Sequence, residues 1–292
     1  MLRSKDTWTG HGQRRDNMNH NEEDAKVHDP AGFSAVLLGA AGLVGSELLK
    51  LLLAEESCCQ VTAIVRRPIQ QMDKKLTVLI EEDFNQLADH VAVFRTDAVF
   101  CCLGTTIRTA GSQVAFSRVD LDYPLEAARL AASAGAGSYH LISSLGADAS
   151  SRVFYSRVKG LAEQGISRSG IAHVSLYRPS LLLGERSEKR FGEGLAAGIS
   201  RALPFVFSGP LRRYRPIPAA TVARAMVAVE LGLADERVMA DTSALAEGGS
   251  TPAAPGSKDQ LADEPAMKTT VYAGEELFRL AGLYEAHRGR NS

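Results

Sequence analysis

Phe33–Gly45, FSAVLLGAAGLVG, is a short apolar run that breaks into glycines at Gly39, Gly42 and Gly45 and passes directly into the amphipathic stretch Ser46–Glu56, SELLKLLLAEE. That order reads as strand, tight turn and helix. Glycine is required where a chain turns sharply and must let a pyrophosphate approach bare backbone. The free N–H groups and positive dipole end of the next helix then hold the anion. Gly39, Ala41, Gly42, Leu43, Val44 and Gly45 are therefore the first candidate dinucleotide-binding residues.

Working outward, strand-like runs recur at Ser34–Leu38, Gln60–Val65, Leu76–Ile80, Ala98–Leu103, Tyr139–Ile142 and His173–Tyr177, with helical patterns between them at Gly42–Glu56, Tyr123–Ala134 and Val153–Arg168. Strands separated by helices imply right-handed crossovers and a parallel sheet covered on both faces, a Rossmann-type doubly wound α/β fold. The strands are almost continuously apolar, as burial on both faces demands. Later, Thr221–Gly232 reads as a helix, Thr269–Tyr272 as a strand and Glu275–Leu283 as a closing helix. Residues 1–32 are polar and aperiodic and read as a disordered extension, so that residues 33–292 form one domain. Within it, 184–218 is a substrate-side region, and 240–266, rich in Ala, Gly, Ser, Asp and Pro, is a flexible insertion.

Two arginines end the second strand. Arg66 and Arg67 stand where chains that prefer NAD carry an acid for the ribose 2′-hydroxyl, and guanidinium there favours a 2′-phosphate, hence NADPH. Exposed strand-end cations are the competing reading. Asp83, ending the third strand in EEDF, is placed either to accept from the adenine amino group or to cap the following loop. Leu103 and Gly104 in CCLGTT follow the fourth strand, and Gly104 would let backbone approach the ribose. Leu182, in YRPSLL, leaves the sixth strand where backbone can meet the nicotinamide carboxamide. Arg190 and the group Arg212, Arg213 and Arg215 read equally as an anion site or a solvated basic loop.

The chemistry is carried by Ser143-Ser144 at the end of the fifth strand and by Tyr155 and Lys159 in the helix after it. Residues four apart share a helix face. Tyrosine ionises near pH ~10, and a neighbouring ammonium favours the phenolate, which makes proton transfer practicable. A serine hydroxyl beside it, Ser144, would hold the substrate oxygen as charge develops. Among seven tyrosines only Tyr155 has a lysine four residues on. A half-buried packing tyrosine is the alternative. His140 and His173 lie in strands and read as core histidines, and no residues have metal-ligand spacing.

Composition narrows the partners. A net charge of -1 and few aromatics argue against nucleic acid. No apolar run reaches membrane-span length, so no integral membrane association is expected. The four cysteines form two vicinal pairs, Cys58-Cys59 and Cys101-Cys102, which fits reduced thiols and a cytoplasmic protein. Arg3, Lys5, Arg14 and Arg15 admit a transit peptide, against which Asp6, Asp16 and Glu22-Glu23-Asp24 weigh. A homodimer is compatible with the sequence but not specified by it.

Taken in order, LLGAAGLVG, VRRP, FCCLGTT, RVDLDYPLEAARLA, SSLGADASS, FYSRVKG and YRPSLLLGER resemble the atypical short-chain dehydrogenases/reductases of the Tat-interacting-protein oxidoreductase type, bacterial NAD(P)-binding relatives included, from about Phe33 to Gly232. The resemblance implies Tyr155 as proton donor and acceptor, Lys159 as its support and ribose contact, and Ala41 to Val44, Arg66, Arg67, Leu103, Leu182 and Arg190 as the NADPH lining. Tyr155 stands only eleven positions after Ser144, closer than in typical short-chain reductases. The expectation is an NADPH-dependent reductase of a small carbonyl compound. A non-catalytic NADPH-binding regulator is the alternative. An epimerase on the same fold lacks any sugar-binding motif.

Overall fold

The computed structural model describes residues 32–184, 214–234 and 267–291. Seven parallel strands form one sheet in the order β3-β2-β1-β4-β5-β6-β9: β1 (Phe33–Leu38), β2 (Cys58–Val65), β3 (Leu76–Ile80), β4 (Ala98–Cys101), β5 (Ser138–Ile142), β6 (His173–Arg178) and β9 (Lys268–Ala273). A two-stranded piece, β7 (Leu182–Leu183) with β8 (Ile217–Pro218), lies outside it. β1 pairs with β2 on one side and β4 on the other, so strand order reverses there. That reversal opens a crevice beyond the carboxyl ends of β1 and β4, where doubly wound sheets bind ligands.

Alternate strand residues feed two cores. Ala35 and Leu37 of β1, with Val61, Ala63 and Phe100, face helices α1 (Leu43–Ala54), α6 (Ala219–Glu230) and α7 (Glu275–Arg290). Val36 and Leu38, with Ile64, Val99 and Leu141, face α4 (Tyr123–Ala134), α5 (Phe154–Ile166) and a 3₁₀ stretch, Phe84–Phe94. α6 lies against both α1 and α7, which explains why Val222, Ala223, Ala225, Met226 and Val227 are all buried around its circumference.

Several boundaries differ from the sequence reading. β4 stops at Cys101, not Leu103: the Cys102 amide makes one last bond to Leu38 O at 2.9 Å before the chain turns away. α5 ends at Ile166 rather than Arg168. α7 continues past Leu283 to Arg290, its polar last turn carrying His287, Arg288 and Arg290 at the negative end of the helix dipole. Between β4 and α4 the sequence reading missed two short helices, α2 (Ile107–Ala110) and α3 (Gln113–Ser117), followed by a π-turn over Arg118–Asp122 that runs into α4. Pro124 accounts for the π-turn. Proline has no N–H to give to Asp120 O and its ring would crowd that carbonyl, so the helix widens by one residue and Tyr123 N–H bonds Arg118 O instead. Residues 1–31 and 240–266 lie outside the described residues, as does all of 184–218 except Gly184 and 214–218. No helix among the described residues is long and apolar enough to cross a membrane.

Candidate active site

The glycine turn adopts the form its spacing requires. Gly39 has φ 83°, and a Cβ there would stand 2.7 Å from Cys102 O at the end of β4. A Cβ on Gly45 would lie 2.2 Å from Gly39 O, so only glycine lets α1 start this close to β1. Gly42 caps α1 in extended conformation, donating to Gly39 O at 2.8 Å, and no side chain caps the helix. The first bond of the helix is Ser46 N–H to Gly42 O at 3.0 Å. The amides of Leu43, Val44 and Gly45 therefore stay outside the helical ladder at its positive end. A pyrophosphate fits this turn: it has donors, no acid among the side chains of residues 39–45, and no Cβ at Gly39, Gly42 or Gly45. Leu43 and the segment after β7 meet, since a Cβ on Gly184 would stand 2.4 Å from Leu43 Cδ1, which brings Leu182–Gly184 over the start of α1.

Arg66 and Arg67 are exposed just past the end of β2. Asp83 takes the capping role: its Oδ1 accepts from the Asn85 amide at 3.0 Å and from Asn85 Nδ2 at 2.6 Å, starting the 3₁₀ stretch. Arg66 nevertheless shares a neighbourhood with Asp83, because both act on Tyr123. Burial pushes the Tyr123 hydroxyl up, the Asp83 carboxylate pushes it further, and Arg118 and Arg66 oppose them. Arg118 and Tyr123 are thus neighbours of the predicted adenosine end that the sequence reading did not single out. Arg190, Arg212 and Arg213 lie outside the described residues. Arg215 is described and packs over the Phe278 ring at 4.9 Å, a cation–π contact with α7.

At the other end of the edge, Tyr155 stands in the first turn of α5 with its ring 5.6 Å from that of Phe116. Lys159, one turn on, is almost completely buried. Its Nζ donates to Ile142 O at 3.4 Å and lies 2.9 Å from Oδ1 of Asp120, a carboxylate with no solvent exposure. The other oxygen, Oδ2, accepts from the Thr105 amide at 2.9 Å. Gly104 rests on this pair: a Cβ there would be 3.5 Å from Asp120 Oδ1 and 3.9 Å from Lys159 Nζ. Burial by itself pushes the Lys159 ammonium toward neutrality. The Asp120 carboxylate, with Tyr155 and Cys101 acting in the same direction, outweighs it and leaves the lysine above its ordinary value.

The two serines divide unexpectedly. Ser143 is buried and its hydroxyl has no hydrogen-bond partner among the described residues. Ser144 is half-buried, and its hydroxyl donates to Leu145 O at 3.1 Å. Asp120 is the principal residue that sequence reasoning missed. The available signal was register: Phe116 and Pro124 are buried four residues either side, which puts a carboxylate on the core-facing stripe of the helix.

All four cysteines are free thiols. Burial pushes Cys58 up to about 12 and raises Cys101 and Cys102 too, so these three behave as packing residues rather than nucleophiles.

An open parallel sheet with an uncapped glycine turn at its switch point defines an NAD(P)-binding oxidoreductase-type protein. Residues 39–229 match the family model described as NAD(P)H-binding, and the chain belongs to that family. It is 38% identical over 208 residues to the rat protein HTATIP2, spanning 70% of this chain and 83% of that one, and is related to the atypical short-chain dehydrogenases/reductases of that type. The protein fmp52, mitochondrial, of Emericella nidulans is 34% identical over 181 residues, 60% of this chain and 78% of its own length. Among solved structures, MoeE5 in complex with UDP-glucose and NAD superposes with a TM-score of 0.51 at 17% identity, covering 67% of this chain and 71% of that one. The UDP-glucose 4-epimerase of Thermotoga maritima gives 0.52 at 13% identity over 89% and 100%. At those identities the likeness is one of fold.

The expectation of a cytoplasmic protein is corrected here. Relatives from Emericella nidulans, Aspergillus niger and Candida albicans are all named as mitochondrial proteins. Four unpaired cysteines do not choose between compartments.

Proposed function

We propose that this chain, acting as one folded unit over residues 33–292, is an NADPH-dependent reductase of a small carbonyl compound. The observation that carries the reading is the shared edge: the uncapped turn at Gly39–Gly45 and the Tyr155–Lys159 pair both lie at the carboxyl ends of the strands, with Gly104 against Lys159 Nζ. The amides of Leu43 to Gly45 would hold the pyrophosphate, Gly104 would admit the ribose beside Lys159, and Leu182 would border the nicotinamide. Bound there, the dinucleotide supplies a hydride. Tyr155 gives its proton to the substrate oxygen, and Lys159 holds positive charge beside it as the tyrosine becomes negative. A serine of the pair Ser143-Ser144 steadies the same oxygen. Arg66 and Arg67, exposed beyond β2, support selection of the 2′-phosphate.

The test is NADPH consumption across a panel of carbonyl compounds, wild type against Tyr155→Phe. The variant should bind NADPH as the wild type does and lose roughly 100- to 10,000-fold in kcat, the usual range for general acid–base catalysis. If both proteins bind NADPH equally and neither turns over any substrate, the reductase reading is abandoned in favour of a dinucleotide-binding regulator.

A further inference from the structure

Lys159 is a cation in the protein interior, and an isolated ammonium there is costly enough to shed its proton. The chain supplies a counter-charge from a different element. Asp120 stands on the π-turn before α4, whereas Lys159 stands on α5. Their contact, 2.9 Å between Nζ and Oδ1, is buried on both sides. The groups facing Nζ are Asp120 from the π-turn, Tyr155 from the lysine's own helix, and Cys101 from the end of β4, whose thiol burial keeps protonated. Of these only Asp120 is within ion-pair distance.

The second oxygen of Asp120 matters equally. By accepting the Thr105 amide it ties the loop after β4, which contains Gly104, to the same carboxylate that holds the lysine. The backbone at Gly104 runs past both charged atoms: a Cβ there would stand in ordinary van der Waals contact with Asp120 Oδ1 and Lys159 Nζ. One carboxylate thus spans the two halves of the site, the backbone beside the predicted ribose and the side chain beside the predicted proton donor.

We propose that Asp120 is a positioning residue of this site: its two oxygens join Lys159 Nζ to the Thr105 amide and so keep the lysine's charge at a fixed place beside Gly104 and Tyr155. The inference deepens the reductase reading and rests on it for its catalytic meaning, but the ion pair can be tested in the protein without cofactor or substrate. Asp120 does not touch the reacting atoms; it acts through Lys159.

The experiment follows the Lys159 ¹³Cε resonance with pH in cofactor-free protein, assigned by its loss in Lys159→Met. In the wild type the lysine should stay protonated through about pH 10, its ordinary range. In Asp120→Asn the residue keeps its shape and its amide acceptor but loses its charge, and the midpoint should fall by at least about one unit, a tenfold change. An unchanged midpoint overturns the proposal. In turnover, Asp120→Asn should add a falling alkaline limb to kcat/KM, lost as pH rises and the ammonium deprotonates, while Asp120→Glu restores the wild-type profile. A packing role would lower stability and leave that limb where it was. If Asp120→Asn does not fold, Asp120→Asn with Lys159→Met decides: folding of the double variant supports the proposal, because the uncompensated ammonium was the fault. Failure of both overturns it. Should the wild type reduce no carbonyl, the reductase reading fails while the titration still decides the pair.

Discussion

Each face of the sheet buries a charged cluster, and the two are built differently. On the α4/α5 face, Asp120 and Lys159 meet at the carboxyl edge beside Gly104. On the α1/α6/α7 face, His140 sits mid-strand, its Nδ1 2.9 Å from the Tyr177 hydroxyl and its Nε2 2.8 Å from Glu230. The same Glu230 oxygen accepts from Ser138 at 2.7 Å, and the His140 ring stacks on Phe100 at 4.4 Å. Both histidine nitrogens are therefore engaged and the ring is enclosed. The Asp120 cluster is less saturated: Ser143, next to the Ile142 carbonyl that Lys159 reaches, keeps a buried hydroxyl without a partner among the described residues. Buried charge by itself does not mark a functional site. A saturated network in mid-sheet fastens α6 to β5, whereas an incompletely satisfied one at the ligand-binding edge has capacity left for something else.

Substitutions can break this comparison. The largest effect is expected from Lys159→Met. It leaves Asp120 as an uncompensated buried carboxylate, so denaturant unfolding should show a loss of about 3–5 kcal/mol. Adding Asp120→Asn should recover much of it, because a neutral pair removes the desolvation cost on both sides. A milder loss, about 1–3 kcal/mol for a buried group left without its hydrogen bond, is expected for Glu230→Gln or His140→Phe in the same measurement. Either variant should bind NADPH as the wild type does. A large fall in affinity would mean that the histidine network serves the site and that the contrast between the faces is false.

Titration sharpens the difference further. The folded pKa of Lys159 is raised above the unfolded one, so the pair's stabilisation is complete below the ordinary lysine value and fades as pH rises through the folded value. Urea midpoints of wild type and the Asp120→Asn, Lys159→Met double variant should lie close together below that value and separate in strong alkali, where the wild type alone loses the pair's stabilisation. A difference between the two midpoints that stays unchanged into strong alkali would show that the pair's charge contributes nothing. The smallest expected effect on the fold comes from Arg66→Ala with Arg67→Ala. These are exposed, and stability should move by no more than about 0.5 kcal/mol. NADPH binding, read by titration calorimetry, should weaken about tenfold more than NADH binding, equivalent to about 1.4 kcal/mol. Equal weakening would remove the 2′-phosphate assignment.

How legible the site was depends on the reach of each interaction. The glycine turn could be read because every constraint on it is local: Gly45 is barred from carrying a Cβ by Gly39, six residues away. Tyr155 and Lys159 could be paired because they are one turn apart on one helix. Asp83 was legible only as two alternatives, and the structure shows the capping contact, Oδ1 on the Asn85 amide. Asp120 was not seen because its partners, Thr105 and Lys159, come from separate elements.

The sequence by itself determined the alternation of strands and helices, the parallel sheet it implies, the glycine turn between the first strand and helix, and the family to which the chain belongs. Periodicity and glycine placement act over a few residues, and physics at that range needs no knowledge of the rest of the chain. Only the tertiary structure decided which polar groups are buried together: Asp120 with Lys159 on one face, His140 with Glu230 and Tyr177 on the other. A buried charge must find its partner wherever the sheet brings one within about 3 Å, and that distance is set by strand order rather than by position along the chain.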